Sequence, residues 1–103
     1  MQASDSSIRE NPVRVFYIDL QDAASPAEVQ ECIAAALPLP AHYGRNLDAL
    51  YDVLTASGSG WDLIFYHDAL LSRTQPKYYE TLKRLCREAA EETPGLRARF
   101  YHG

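Results

Sequence analysis

Apolar, β-branched and aromatic residues dominate Val13 to Leu20 (VRVFYIDL), which predicts a strand. Beyond it the period changes. Ser25, Pro26 and Glu28 make a helix start, with serine as the cap, proline at the first helical position and an acid in the first turn. Val29, Cys32, Ile33 and Ala36 follow at helical spacing. That helix must stop before Pro38 and Pro40, because a residue preceding proline disfavours the helical region. His42-Tyr43-Gly44 predicts a turn, and Asn46 caps a second helix running to about Ala56. Ala56 to Gly60 is small and flexible in composition. Trp61 to His67 reads as a second strand, apolar enough to be buried on both faces. A short helical or irregular piece around Asp68–Ser72 leads to a long helix from Pro76 to about Glu91, with an apolar stripe of Tyr78, Leu82, Leu85, Cys86 and Ala89. Thr93-Pro94-Gly95 ends it, and Leu96 to Tyr101 is a last short strand.

The resulting order, β-α-α-β-α-β, places helical segments between successive strands. It predicts an α/β domain: a small three-stranded parallel sheet packed with helices, joined by right-handed crossovers, with the middle strand most buried. Residues 1–12 are polar except for Met1, Ala3, Ile8 and Pro12. They offer little apolar surface to offset the entropy of ordering, so a flexible tail is expected there and a single domain over 13–103.

Composition narrows the class. The 103 residues are 47% hydrophobic and 23% charged, a globular balance able to support one core without metal or disulfide. The formal net charge of −4 disfavours a phosphate backbone as partner and suits a basic protein. Cys32 and Cys86 fall within helical apolar patterns and read as reduced core thiols. The polar start lacks an apolar signal segment, and no apolar run approaches the roughly 20 residues of a membrane span. A cytoplasmic protein is expected, with no membrane association.

The informative stretch is Leu39 to Leu54, LPAHYGRNLDALYDVL. At helical spacing Leu47, Leu50 and Leu54 form one apolar stripe, while Asp48 and Asp52 share another face, with Arg45 and Thr55 nearby and Tyr51 on the border. Asp48 sits in the first turn, where the helix dipole favours an acid. Asp52 lies past that turn, is a poor helix former and repels Asp48. A residue that breaks two local rules at once points to function, and an aromatic flanked by acids is a typical interface anchor.

The run Pro40-x-x-Tyr43-Gly44-x-Asn46-Leu47-Asp48-Ala49-Leu50-x-Asp52-x-Leu54 resembles the barstar family of intracellular ribonuclease inhibitors. The resemblance extends loosely over residues 13–103 and includes Arg87-Glu88-Ala89. It implies the same strand and helix order and a basic ribonuclease as partner. It makes Asp52 the acid that replaces a substrate phosphate, with Asp48 and Tyr51 beside it and Glu88 a further acidic contact. It extends the binding face over His42, Tyr43, Gly44, Arg45, Asn46, Thr55, Ala56 and Ser57. Three departures bear on which target is bound: His42 stands at an aromatic contact position, Arg45 replaces an acid, and Ala56-Ser57-Gly58 replaces a loop with a tryptophan contact.

Two other classes remain. His67 and His102 each follow a predicted strand and, with Asp68, form the best case for acid–base phosphodiester cleavage. Alternatively, the same scaffold serves as an immunity or interaction module for a partner that is not a ribonuclease. Gly58 and Gly60 precede a strand, not a helix, so they make no phosphate loop, and no Cys/His spacing suggests zinc. No cofactor is expected, and the free protein is expected to be a monomer.

Overall fold

The computed structural model describes residues 13–102. Among the described residues seven elements run in order: β1 (Arg14–Asp19), α1 (Pro26–Ala36), α2 (Leu47–Ser57), β2 (Trp61–Tyr66), α3 (Ala69–Thr74), α4 (Pro76–Glu92) and β3 (Arg97–Phe100). The expected short piece after β2 is thus a helix of its own. The polar segment 1–12, expected to be a flexible tail, lies outside the described residues.

The sheet has the order β1-β2-β3 and both pairings are parallel. Tyr17 sits opposite Ile64, and Ile64 opposite Arg99. Each parallel connection is made by a pair of helices. Local chemistry starts them where the sequence places them. The Ser25 hydroxyl accepts the Glu28 N–H at 3.3 Å while the Glu28 carboxylate accepts the N–H of Ala24, the residue before the cap, at 2.9 Å, so both side chains close the helix start. The Asn46 side chain accepts the Ala49 N–H at 2.7 Å and so starts α2.

One core joins the elements. Ile18, Leu63 and Phe65 from the sheet meet Val29 and Ile33 of α1, Leu50 and Leu54 of α2, Leu71 of α3, and Leu82, Cys86 and Ala89 of α4. The Phe65 and Phe100 rings stack at 4.5 Å, tying β2 to β3.

Two expectations need correction. The buried stripe of α4 is Tyr79, Leu82, Cys86 and Ala89; Tyr78 and Leu85 are only half-buried. Tyr79 wins because its ring meets Phe100 edge-on at 5.8 Å and its hydroxyl donates to the buried Asp68 carboxylate. Nor is β2 buried on both faces throughout. Ile64 and Tyr66 are half-buried on the sheet face that also carries the exposed Val15 and Tyr17. The Tyr17 and Tyr66 rings meet edge-on there at 6.4 Å. As the middle strand β2 is flanked by β1 and β3, which half-buries Ile64 and Tyr66 even on this open face.

Candidate partner-binding site

The stretch singled out by its broken local rules forms the turn before α2 and α2 itself. The turn is held from beneath. The Tyr43 hydroxyl donates to the Gln30 side-chain oxygen at 2.6 Å, and the Gln30 amide donates to the Tyr78 hydroxyl at 3.2 Å. Gln30 is buried in α1, so this relay ties the turn to α1 and α4. Burial pushes the Tyr43 hydroxyl up to about 12, keeping it a neutral donor. Asn46 adds a second tie, its amide donating to the Gly44 carbonyl at 3.2 Å. Arg45 takes a left-handed backbone at φ 56°, and both it and His42 are exposed. The side chains of Tyr43 and Asn46 therefore hold the turn, while those of His42 and Arg45 face solvent.

On α2 the two faces separate as the periodicity requires. Leu50 and Leu54 are fully buried, and Asp48 and Asp52 are exposed. Among the described residues neither aspartate's carboxylate has a hydrogen-bond or ion-pair partner. Tyr51 lies half-buried between them, and its hydroxyl donates to the Glu92 carboxylate on α4. That bond, with desolvation and the negative charges of Glu92, Glu88 and Asp52, raises the Tyr51 hydroxyl to about 12. The phenol thus stays protonated and its ring is fixed across the seam between α2 and α4. Thr55 turns its hydroxyl back to donate to the Tyr51 carbonyl at 2.9 Å, which leaves its methyl and the oxygen's acceptor lone pairs for any partner.

Asp48, Tyr51 and Asp52 of α2 and Glu88 of α4 line one groove of about 360 Å³. The structure thus brings together four of the residues expected to bind a partner, from helices far apart in the chain. Ala56 and Ser57, both exposed, border a second depression with Asp52, beside Pro38 and Pro40. Thr81, Arg84 and Leu85 also line the first groove and were not anticipated. A signal existed, since Arg84, Glu88 and Glu92 follow one another at i+4 along α4. Arg84 places one positive charge among three acids, so the groove is acidic without being uniformly so.

The histidines form no shared site. The His67 imidazole meets the Asp19 carboxylate at 2.9 Å, an interaction that holds the Asp19 pKa below its ordinary value. His102 instead pairs with Asp68, which is buried and also takes the Tyr79 hydroxyl. Each ring has its own acid, and Asp68 is spent on holding the end of β3 and the start of α4. Among the described residues no His/Cys/Asp/Glu group is arranged to hold a metal ion. Cys32 and Cys86 are both free thiols, the first half-buried and the second buried.

Comparison with curated proteins gives no match. The family model described as barstar (barnase inhibitor) matches residues 13–102, which is the whole of the described chain. It spans the capped acidic helix, the parallel sheet that carries it and the Glu88 turn of α4; the chain belongs to the barstar family.

Proposed function

We propose that the chain inhibits a basic ribonuclease by placing the acidic face of α2 in the nuclease's active site. The observation that carries this reading is the convergence of Asp48, Tyr51, Asp52 and Glu88 on one groove, with the aspartate carboxylates unpaired among the described residues. An enzyme that cleaves phosphodiesters gathers cationic groups around the phosphate. An acidic plug competes for that place, and charge attraction speeds the encounter.

In this reading Asp52 takes the position of the phosphate, and Asp48 and Glu88 meet flanking cations. Tyr51 supplies rigid ring area at the centre, where binding energy concentrates. His42 to Asn46 and Thr55 to Ser57 form the rim. The Tyr43–Gln30–Tyr78 relay and the Asn46 cap set the face before the partner arrives, so little ordering entropy remains to be lost on binding. Arg45 and Arg84 each place a positive charge at or near the face and select among targets, since a target must offer them an acid or leave them in water.

The chain supplies no catalytic group in this role. Its setting is the cytoplasm of a bacterium that it protects from a nuclease, and it acts as a monomer. Among the described residues no helix is long and apolar enough to cross a membrane. The test is capture of binding proteins on the immobilised chain, identified by mass spectrometry, followed by an RNA-cleavage assay. A basic ribonuclease that is captured and then inhibited one to one supports the proposal; capture of a nuclease that still cleaves RNA refutes it. The two arginines favour one second reading, immunity against a toxin that is not a ribonuclease, and the same capture would return that protein instead.

A further inference from the structure

On the flank of α4 away from the acidic groove lies a second groove, of about 370 Å³, between the helix and β3. Its rim carries Lys83, Arg87, Arg97 and Arg99, four of the ten lysines and arginines of an acidic chain, and among the described residues no acid lines it. Arg99 is held by Asp62 at 2.6 Å and Lys83 by Glu80 at 3.2 Å. Arg87 and Arg97 are exposed and without an ion pair among the described residues. The floor is apolar, with Cys86 and Leu96 buried and Ala90, Ala98 and Phe100 half-buried. Such clustering of like charge raises the energy of the free surface and is relieved by an anionic occupant.

The groove follows the edge of the sheet, which among the described residues carries no further strand. Among the described residues β3 pairs only with β2, and no other backbone hydrogen bond engages Arg97 to Phe100. We propose that this edge takes up an extended acidic peptide segment of another protein as a fourth strand. Main-chain bonds would supply affinity and the alternating side chains specificity. Along β3 the arginines at 97 and 99 project to one face of the sheet and the residues at 98 and 100 to the other. An added strand therefore wants acids at every second position, against Arg97 and Arg99, and apolar residues between them, over Ala90, Ala98 and Phe100. A second copy of β3 is disfavoured as occupant, because the register that sets Arg97 opposite Arg99 brings like charges together. A nucleic acid is disfavoured by the net charge of −4 and finds no use for the apolar floor.

The probe is a fluorescein-labelled synthetic peptide of alternating glutamate and valine, titrated with the full chain by fluorescence polarisation. Saturable binding is expected, weakened severalfold in Arg97→Glu, since its attraction to the peptide's glutamates on that face becomes repulsion. The Arg97 side chain is exposed and without an ion pair among the described residues, so unchanged circular dichroism is expected of the variant; if it does not fold, Arg97→Gln is read in its place. The same peptide N-methylated at alternate residues cannot complete the strand ladder and is expected to bind at least about tenfold more weakly. The proposal is overturned by no binding to the parent, by equal binding to the arginine variants, by equal binding of the N-methylated peptide, or by a single-stranded RNA that displaces the peptide at lower concentration than unlabelled peptide does.

Discussion

Replacing Asp52 by alanine separates the two demands placed on α2. The residue sits in the middle of the helix, exposed, with its carboxylate bonded to nothing among the described residues. Alanine is the better helix former by about half a kcal/mol, and removing one of two like charges a turn apart returns about 0.2–0.5 kcal/mol more. The variant is thus expected to be more stable than the parent by about 0.5–1 kcal/mol, a rise of a few degrees in unfolding midpoint for a domain of this size. Binding should move the other way. Once the acid is gone, the nuclease's cationic centre is left buried and unpaired, and the loss should exceed about 2 kcal/mol, or roughly thirtyfold in Kd. Denaturant unfolding gives the first quantity, and titration calorimetry against the captured nuclease gives the second. A variant that unfolds, or that binds as tightly as the parent, refutes the role given to Asp52.

Tyr79→Phe leaves the buried Asp68 carboxylate with His102 alone, and urea titration should show a loss of about 1–3 kcal/mol; no loss would mean the hydroxyl contributes nothing to the fold. Gly95 has φ +77°, and an added Cβ would lie 3.0 Å from the Gly60 nitrogen, so Gly95→Ala should cost about 1–2 kcal/mol by the same assay. Burial pushes the Cys86 thiol up to about 12, so the fold holds that proton where the unfolded chain releases it. The resulting stability is complete below about pH 9, the ordinary thiol value, and is lost as pH rises towards 12; unfolding midpoints should fall more steeply with alkali in the parent than in Cys86→Ala, and equal slopes would contradict it. Stopped-flow association with the nuclease should slow as salt is added, more steeply in Arg45→Glu, and a salt-independent rate would exclude steering.

Much of the architecture is written in local signals. Ser25, Pro26 and Glu28 start α1, Asn46 starts α2, and Thr93-Pro94-Gly95 separates α4 from β3, each through groups no more than a turn apart. The alternation of helical segments with strands dictates a parallel sheet, because adjacent parallel strands need a crossover. Asp52 is legible for the same reason: its conflict with helix propensity and with Asp48 is local, and no structure is needed to see it. What the chain does not declare is which distant surfaces meet. Glu88 is an ordinary exposed helix residue until the packing of α4 against α2 sets it in one groove with Asp48 and Asp52. Gln30 has no pattern to mark it, yet it joins Tyr43 to Tyr78 across the core. Helical period alone could not choose Tyr79 over Tyr78, since neighbours differ by about 100° around the axis and both positions border the stripe. The choice was made by Phe100 and Asp68, which only the folded chain brings to that face. Local free energies of capping and propensity are fixed by neighbours in sequence, whereas burial and electrostatic pairing depend on elements brought together across the chain, and the acidic groove between α2 and α4 is built from the second kind.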